Sequence, residues 1–210
     1  MISINLSCVR YQVITDNHYE ALSSIPAMQR RRLSTLAKLA LDSAAQCLAG
    51  SSVDYMIWAS QYADESKTLK ILEDILQDQP ASPTAFSTSV HNAIAGLYSI
   101  LFQDDTPSTS VSASWSEALV DAYAWLKQHP QAKVMLVYYE QALPELYQDA
   151  EAFEGFALSA IVSLEHANLS LDLPAVARAN HRAYYHDALD FYKFWQNAAI
   201  RQDQAWYKCW

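Results

Sequence analysis

The chain predicts an α/β fold, a mostly parallel sheet with helices on both faces. Two observations carry that prediction. KVMLVYYE (133–140) is a near-continuous apolar run of the kind that a central strand buried on both faces requires. Between such runs lie stretches whose apolar residues recur every three or four positions, the spacing of a helix with one buried side. Strands separated by helices of this length favour parallel crossovers. At 210 residues, the chain is long enough to bury roughly 70% of its unfolded surface without disulfide staples.

The elements follow in order. ISINL (2–6) alternates as a strand does. From Pro26 a helical pattern runs to Leu48, with Leu33, Leu36, Ala40, Ala44 and Cys47 on one side and Gly50 just past the end. DYMIWASQY (54–62) reads as a buried strand. Residues 65–78 read as a helix with Leu69, Leu72, Ile75 and Leu76 inward, ended by Pro80 and Pro83. In SPTAFSTSVHNAIAGLYSI (82–100) a helix is expected from Ser87 or Ser89, its apolar side formed by Ala93, Ile94, Leu97, Ile100 and Leu101. Gly96 inside it costs about 1 kcal/mol against alanine, a cost that a close backbone approach would justify. STSVSAS (108–114) is a strand of small residues. Trp115 to Gln128 is a helix with Leu119, Ala122, Tyr123 and Leu126 inward, and GFALSAIVSLE (155–165) is a second buried strand. The segment 181–210 is crowded with Phe, Tyr and Trp, read as rings covering the domain's own sheet edge, with a subunit contact as the alternative. The organisation expected is a domain over residues 1–175 and an aromatic helical tail over 176–210 packed on it.

Composition narrows the function. Hydrophobic residues make up 51% and charged residues 18%, with a net charge of −9. That charge disfavours nucleic acid and anionic membrane as partners. The run Arg30, Arg31, Arg32 is a solvated helix face or a docking patch for an acidic protein. Three cysteines without a CxxC point to a reducing, cytoplasmic setting. Six histidines show no HExxH or similar spacing, so neither a metal nor another cofactor is expected. MISINLSCVR lacks the basic and apolar regions of a signal peptide, and no apolar run reaches the ~18 residues of a membrane span.

Several motifs together resemble the β-ketoacyl synthases of the thiolase superfamily. They are Ser82-Pro83, the serines at 87 and 89, Asn92 and Ala95-Gly96, followed by PSTSVSAS, KVMLVYYEQ and EGFALSAIVSLEHA. The resemblance runs over roughly residues 1–167 and covers only the N-terminal half of a synthase. PAMQRRRLS (26–34), WASQY (58–62), TAFSTSVHNAIAGLYS and LVYYEQALPE (136–145) are similar to a subgroup of short synthase-like proteins that accompany aryl polyene or type II polyketide-like pathways. The resemblance implies a half-thiolase-like layered fold.

It also implies where chemistry would sit. A synthase forms a thioester on a cysteine at a helix start, where the dipole favours thiolate and oxyanion. Aligning PSTSVSAS with the family strand puts Trp115 at that position, and an indole is not a nucleophile. The family's two histidines lie in its other half, so His91, His166, His181 and His186 inherit no catalytic role. The resemblance further implies a two-fold interface at which Ala85 and Phe86 touch a partner's pocket, His91, Asn92 and Gly96 lie at the contact, and Thr109, Ser110, Val111, Ser112 and Ala113 offer a strand edge. The rival for Gly96 is contact with this chain's own strand at 108–114. The expectation is a non-catalytic partner of a full ketosynthase, or of itself, acting as a chain-length factor does in fatty-acid or aryl-polyene-type biosynthesis. The alternatives are an acyl-transfer or condensing enzyme using a non-cysteine nucleophile (Ser114, Ser116 or a histidine), and a module that binds acyl carrier protein through Arg30–Arg32.

Overall fold

A computed structural model describes residues 1–16, 18–80, 82–147, 152–178 and 183–209. The elements in chain order are β1 (Ile2–Val13), α1 (Ala27–Arg30), α2 (Thr35–Leu48), β2 (Tyr55–Ala59), α3 (Glu65–Leu76), α4 (Pro83–Ser89), α5 (Ala93–Phe102), β3 (Ser108–Val111), α6 (Trp115–Gln128), β4 (Val134–Glu140), β5 (Phe156–Ser163), β6 (Leu169–Leu171), α7 (Leu173–Arg178), α8 (Tyr184–Gln196), β7 (Gln202–Asp203) and β8 (Trp206–Lys208). The strands join in one sheet of order β3-β2-β4-β5-β1-β6-β8-β7.

The α/β class holds, but the sheet is mixed rather than mostly parallel. Among the described residues only β2 with β3 and β2 with β4 run parallel, and the other pairs are antiparallel. The reason lies in the connections. Helices cross over from β2 to β3 and from β3 to β4, as parallel pairing demands. The remaining pairs carry no such constraint, and β1 slots between β5 and β6, which follow it by more than a hundred residues.

Helices do cover both faces. β4 is buried along its whole length. Val134, Leu136 and Tyr138 face one core with α6 and α8, whereas Met135, Val137 and Tyr139 face the other with α2 and α5. That alternation is the strand period of two applied to a strand with no solvent side.

Local chemistry moves several predicted boundaries. The single helix expected from Pro26 is two, because the Ser34 hydroxyl accepts from Ala37 N at 3.1 Å and starts α2 afresh. The helix expected from Ser87 or Ser89 is likewise preceded by α4, which Ser82 caps and Pro83 opens. The inward face assigned to residues 65–78 is wrong: Leu72, Ile75 and Leu76 are 49%, 50% and 85% exposed, and only Ile71 is buried. Periodicity located an apolar stripe, but α3 packs on α4 instead of the sheet, held by Lys67 Nζ donating to Thr88 O, while Lys67 also pairs with Asp64 at the start of α3 itself. Ile100, placed on the apolar side of its helix, is also exposed.

The segment after residue 183 is helical only through Gln196, then closes with a two-stranded hairpin that extends the sheet. Its rings are core: Phe191, Phe194 and Trp206 are buried against Trp115 and one another. Lys208 on β8 donates to the carbonyls of Phe194, Trp195 and Asn197 at the end of α8, fixing hairpin to helix.

Candidate functional site

The first site is the start of α6. Ser114 caps it in a reciprocal box: its hydroxyl accepts from Glu117 N at 3.3 Å and Glu117 Oε2 accepts from Ser114 N at 2.8 Å. Trp115, which the resemblance aligned with the nucleophile, is fully buried and lies tilted against Phe191 with centroids 5.3 Å apart. Its indole N–H has no hydrogen-bond partner among the described residues.

Ser116 carries the electrostatic story. Its backbone N–H donates to Asp187 Oδ2 at 2.7 Å and its hydroxyl to Asp187 Oδ1 at 3.0 Å, while Trp206 Nε1 donates to the same hydroxyl at 2.8 Å. The positive end of the helix therefore holds a carboxylate supplied by α8 of the same chain. Burial raises the Asp187 pKa to about 6, against the opposing hydrogen bonds from Ser116 and Ser114. At neutral pH the group is still mostly ionised. Two cavities adjoin it: one of about 40 Å³ lined by Ser114, Ser116, Glu117, His186, Asp187 and Asp190, and one of about 260 Å³ lined by Ser116, Val176, Arg178, Asp187 and Gln204. Ser116 is 2% exposed and its hydroxyl is engaged by Asp187 and Trp206, and the Ser114 hydroxyl is engaged by Glu117 N.

A second buried carboxylate lies at the carboxyl end of β4. Glu140 is fully buried, accepts from Gln61 N at 2.6 Å and from Ser60 Oγ at 3.2 Å, and lies near Tyr138 Oη at 3.4 Å. Burial pushes its pKa up to about 7. It ties the loop after β2 to β4, and Gln61 in turn accepts from Tyr184 N at the head of α8.

The residues proposed for a partner contact come together at one end of the sheet. His91 Nε2 lies 3.0 Å from Val111 O, linking the α4–α5 turn to β3, and Tyr139 Oη donates to His91 O at 3.5 Å. Asn92 precedes α5. Met56 N donates to Pro107 O and Ser60 N to Val111 O, so the odd-numbered carbonyls of β3 face β2. The backbone groups of Ser108, Ser110 and Ser112 face the open edge, where no strand pairs among the described residues. Thr109 and Ser110 are half-buried there, and Val111 and Ala113 turn into the core with α6. Ala85 is half-buried and Phe86 is 63% exposed. An added Cβ at Gly96 would meet nothing within 4 Å. Contact with this chain's own strand at 108–114 is therefore not what the glycine serves.

The arginines end α1 and fill the turn before α2. Arg31 and Arg32 are exposed and Arg30 is half-buried. Arg30, Arg31 and Lys38 line a cavity of about 320 Å³ with Tyr19, Leu22 and Ala27. Arg30 Nε and Tyr19 Oη are buried there without a hydrogen-bond partner among the described residues. His166 occupies an exposed turn at positive φ, and His181 lies outside the described residues. Among those residues no group of His, Cys, Asp and Glu has the geometry of a metal site, and no helix is long and apolar enough to cross a membrane.

Sequence reasoning named Trp115, Ser114 and Ser116 but missed Asp187, Trp206 and Glu140. The signal for Glu140 was a lone charge closing an apolar run. For Asp187 and Trp206 there was none, since their contacts with Ser116 span 71 and 90 residues.

Comparison with known proteins places the fold. No curated protein matches the chain. Among solved structures, one chain from the complex of the ketosynthase ApeO with its chain length factor ApeC, from Xenorhabdus doucetiae, superposes with a TM-score of 0.68 at 24% identity, covering 82% of this chain and 83% of that one. The ishigamide ketosynthase/chain length factor superposes with a TM-score of 0.51 at 13% identity, covering 74% of this chain and 51% of that chain. The profile of the β-ketoacyl synthase N-terminal domain matches residues 8–206, a span that runs past residue 167 and through α8 into the hairpin. On that match, the chain belongs to the β-ketoacyl synthase family, as a member of its N-terminal domain.

Proposed function

We propose that the chain is a non-catalytic ketosynthase-like subunit that pairs with a full ketosynthase, in the manner of a chain-length factor, in fatty-acid or aryl-polyene-type biosynthesis. One observation carries this reading. The helix start at which the family's chemistry needs a nucleophile and free N–H groups holds a buried indole and an internal carboxylate. An acyl thioester requires a nucleophilic side chain there, and an oxyanion requires the N–H that Ser116 already gives to Asp187. Ser114 and Ser116 do not replace it, because both are buried and hydrogen-bonded.

The pairing draws support from the open β3 edge, the solvent-facing Gly96 and the exposed Leu72, Leu76, Phe86 and Ile100 on α3, α4 and α5. It also draws on the ApeO–ApeC complex, whose matched chain is nearly equal in length to this one, since the alignment covers 82% of one and 83% of the other. The cationic cavity at Arg30, Arg31 and Lys38 suits an acidic acyl carrier protein, a second contact of the same assembly.

Co-expression with a ketosynthase from the same pathway, followed by size exclusion with mass determination, is expected to return a heterodimer. Intact-mass measurement after incubation with acyl- and malonyl-loaded carrier protein is expected to show acylation of the ketosynthase alone. An acyl adduct on this chain, or a chain that stays a monomer beside the synthase, overturns the reading.

A further inference from the structure

The two cysteines that play no part in the proposed assembly lie against each other. β1 breaks register between Ser7 and Arg10, and Cys8 occupies that bulge with φ of 49°, an exposed residue in the left-handed region. Cys47, near the end of α2, is buried directly beneath it. The Cys47 thiol donates to Cys8 O at 2.7 Å, and the two thiols are within hydrogen-bonding reach of each other. A non-glycine residue at positive φ is costly enough to need a reason; here the bulge turns a solvent-exposed thiol towards a sheltered one 39 residues away.

We infer that Cys8 and Cys47 form a redox-responsive dithiol, which a hydroperoxide closes to a disulfide tying the β1 bulge to the end of α2. The roles divide by exposure. Burial pushes the Cys47 thiol up, so it is the second sulfur to react, giving up its proton as it attacks. The Cys8 sulfur, open to solvent, attacks the terminal oxygen of the hydroperoxide. An S–O bond forms, the O–O bond breaks and the alcohol or water leaves, giving a sulfenic acid on Cys8. The Cys47 sulfur then attacks the Cys8 sulfur; the S–S bond forms, the S–O bond breaks, and the hydroxyl leaves as water with the Cys47 proton. The sulfur pair loses two electrons and the peroxide gains them. The remaining thiol, Cys209, sits on the far part of the sheet 3.2 Å from Ser170 Oγ and serves as an internal control.

The test uses the whole chain, fully reduced and then treated with hydrogen peroxide. The expected product is lighter by about 2 Da, keeps Cys209 open to alkylation after denaturation, and yields a non-reducing tryptic fragment joining residues 1–10 to 39–67. Dithiothreitol reverses it. In Cys47→Ala the sulfenic acid on Cys8 has no resolving thiol and is captured by dimedone, whereas Cys8→Ser leaves Cys47 unmodified. The inference is overturned if Cys8 proceeds to sulfinic or sulfonic acid while Cys47 stays alkylatable. It is equally overturned if the disulfide joins two chains or uses Cys209.

Discussion

Glu140→Gln isolates the cost of the buried carboxylate that ties β4 to the loop after β2. Glu140 is fully buried, and burial lifts its pKa from 4.5 to about 7 despite the hydrogen bonds from Gln61 N and Ser60 Oγ. The folded protein thus holds this proton more tightly than the unfolded chain. Its contribution to stability is complete below about pH 4.5 and is lost as pH rises through about 7. The gap between those two values, at about 1.4 kcal/mol per pH unit, amounts to about 3 kcal/mol. Glutamine is nearly isosteric with the protonated acid: its carbonyl keeps the bond from Gln61 N, and its amide can donate to Ser60 Oγ. The variant should therefore match the parent near pH 4.5 and exceed it by up to about 3 kcal/mol at pH 8. Urea unfolding of both proteins across that range, with equal m-values, measures the difference directly. A difference that stays flat with pH would refute the reasoning, because a solvated carboxylate, or one anchored as an ion, gives no such slope.

Asp187→Asn at the head of α6 should behave in the same direction at lower pH. Its gain over the parent grows between about pH 4 and 6, by about 2 kcal/mol after allowance for the adjoining cavity, and chemical denaturation at those two pH values checks it. Trp115→Ala empties a fully buried ring site and should cost about 3–5 kcal/mol. Trp115→Phe removes an indole N–H that has no partner among the described residues and should stay within about 1 kcal/mol of the parent, read from denaturation midpoints. Gly96→Ala should stabilise the isolated chain by about 0.5–1 kcal/mol, since its Cβ meets nothing. The same change should weaken binding to the partner synthase in titration calorimetry if a partner backbone seats on that face.

What the sequence revealed and what it hid divide along the range of the interactions. The limits of α6 were legible to the residue, because Ser114 caps one end and the apolar spacing runs unbroken to Leu126. β4 was legible because seven buried positions in a row leave no other reading. The antiparallel half of the sheet was not, since nothing local in ISINL or LSL says that β1 will sit between β5 and β6. The identity of Trp115 told that an indole, not a thiol, stands at the first residue of α6. It could not tell that Asp187 and Trp206 converge on Ser116, since charge and aromaticity in a tail say nothing of where the tail returns.

The misjudged face of α3 is the more instructive case. Leu72, Ile75 and Leu76 give this helix an apolar side, and in most helices that side meets the chain's own core. Here it meets water, beside an exposed Phe86, at the same end of the sheet as an unpaired β3 edge. Leaving such residues exposed gains a lone chain nothing in stability, and open edges invite aggregation. The periodicity was thus a true signal of an apolar stripe but not of burial within the chain; under the proposed pairing a partner subunit would cover it. Replacing Leu76, the most exposed of the three, with Gln should leave the unfolding of the isolated chain within about 0.5 kcal/mol of the parent. It should lower the heterodimer fraction on size exclusion with a ketosynthase. A stability loss of about 2 kcal/mol or more would instead mean that the stripe is covered within the chain.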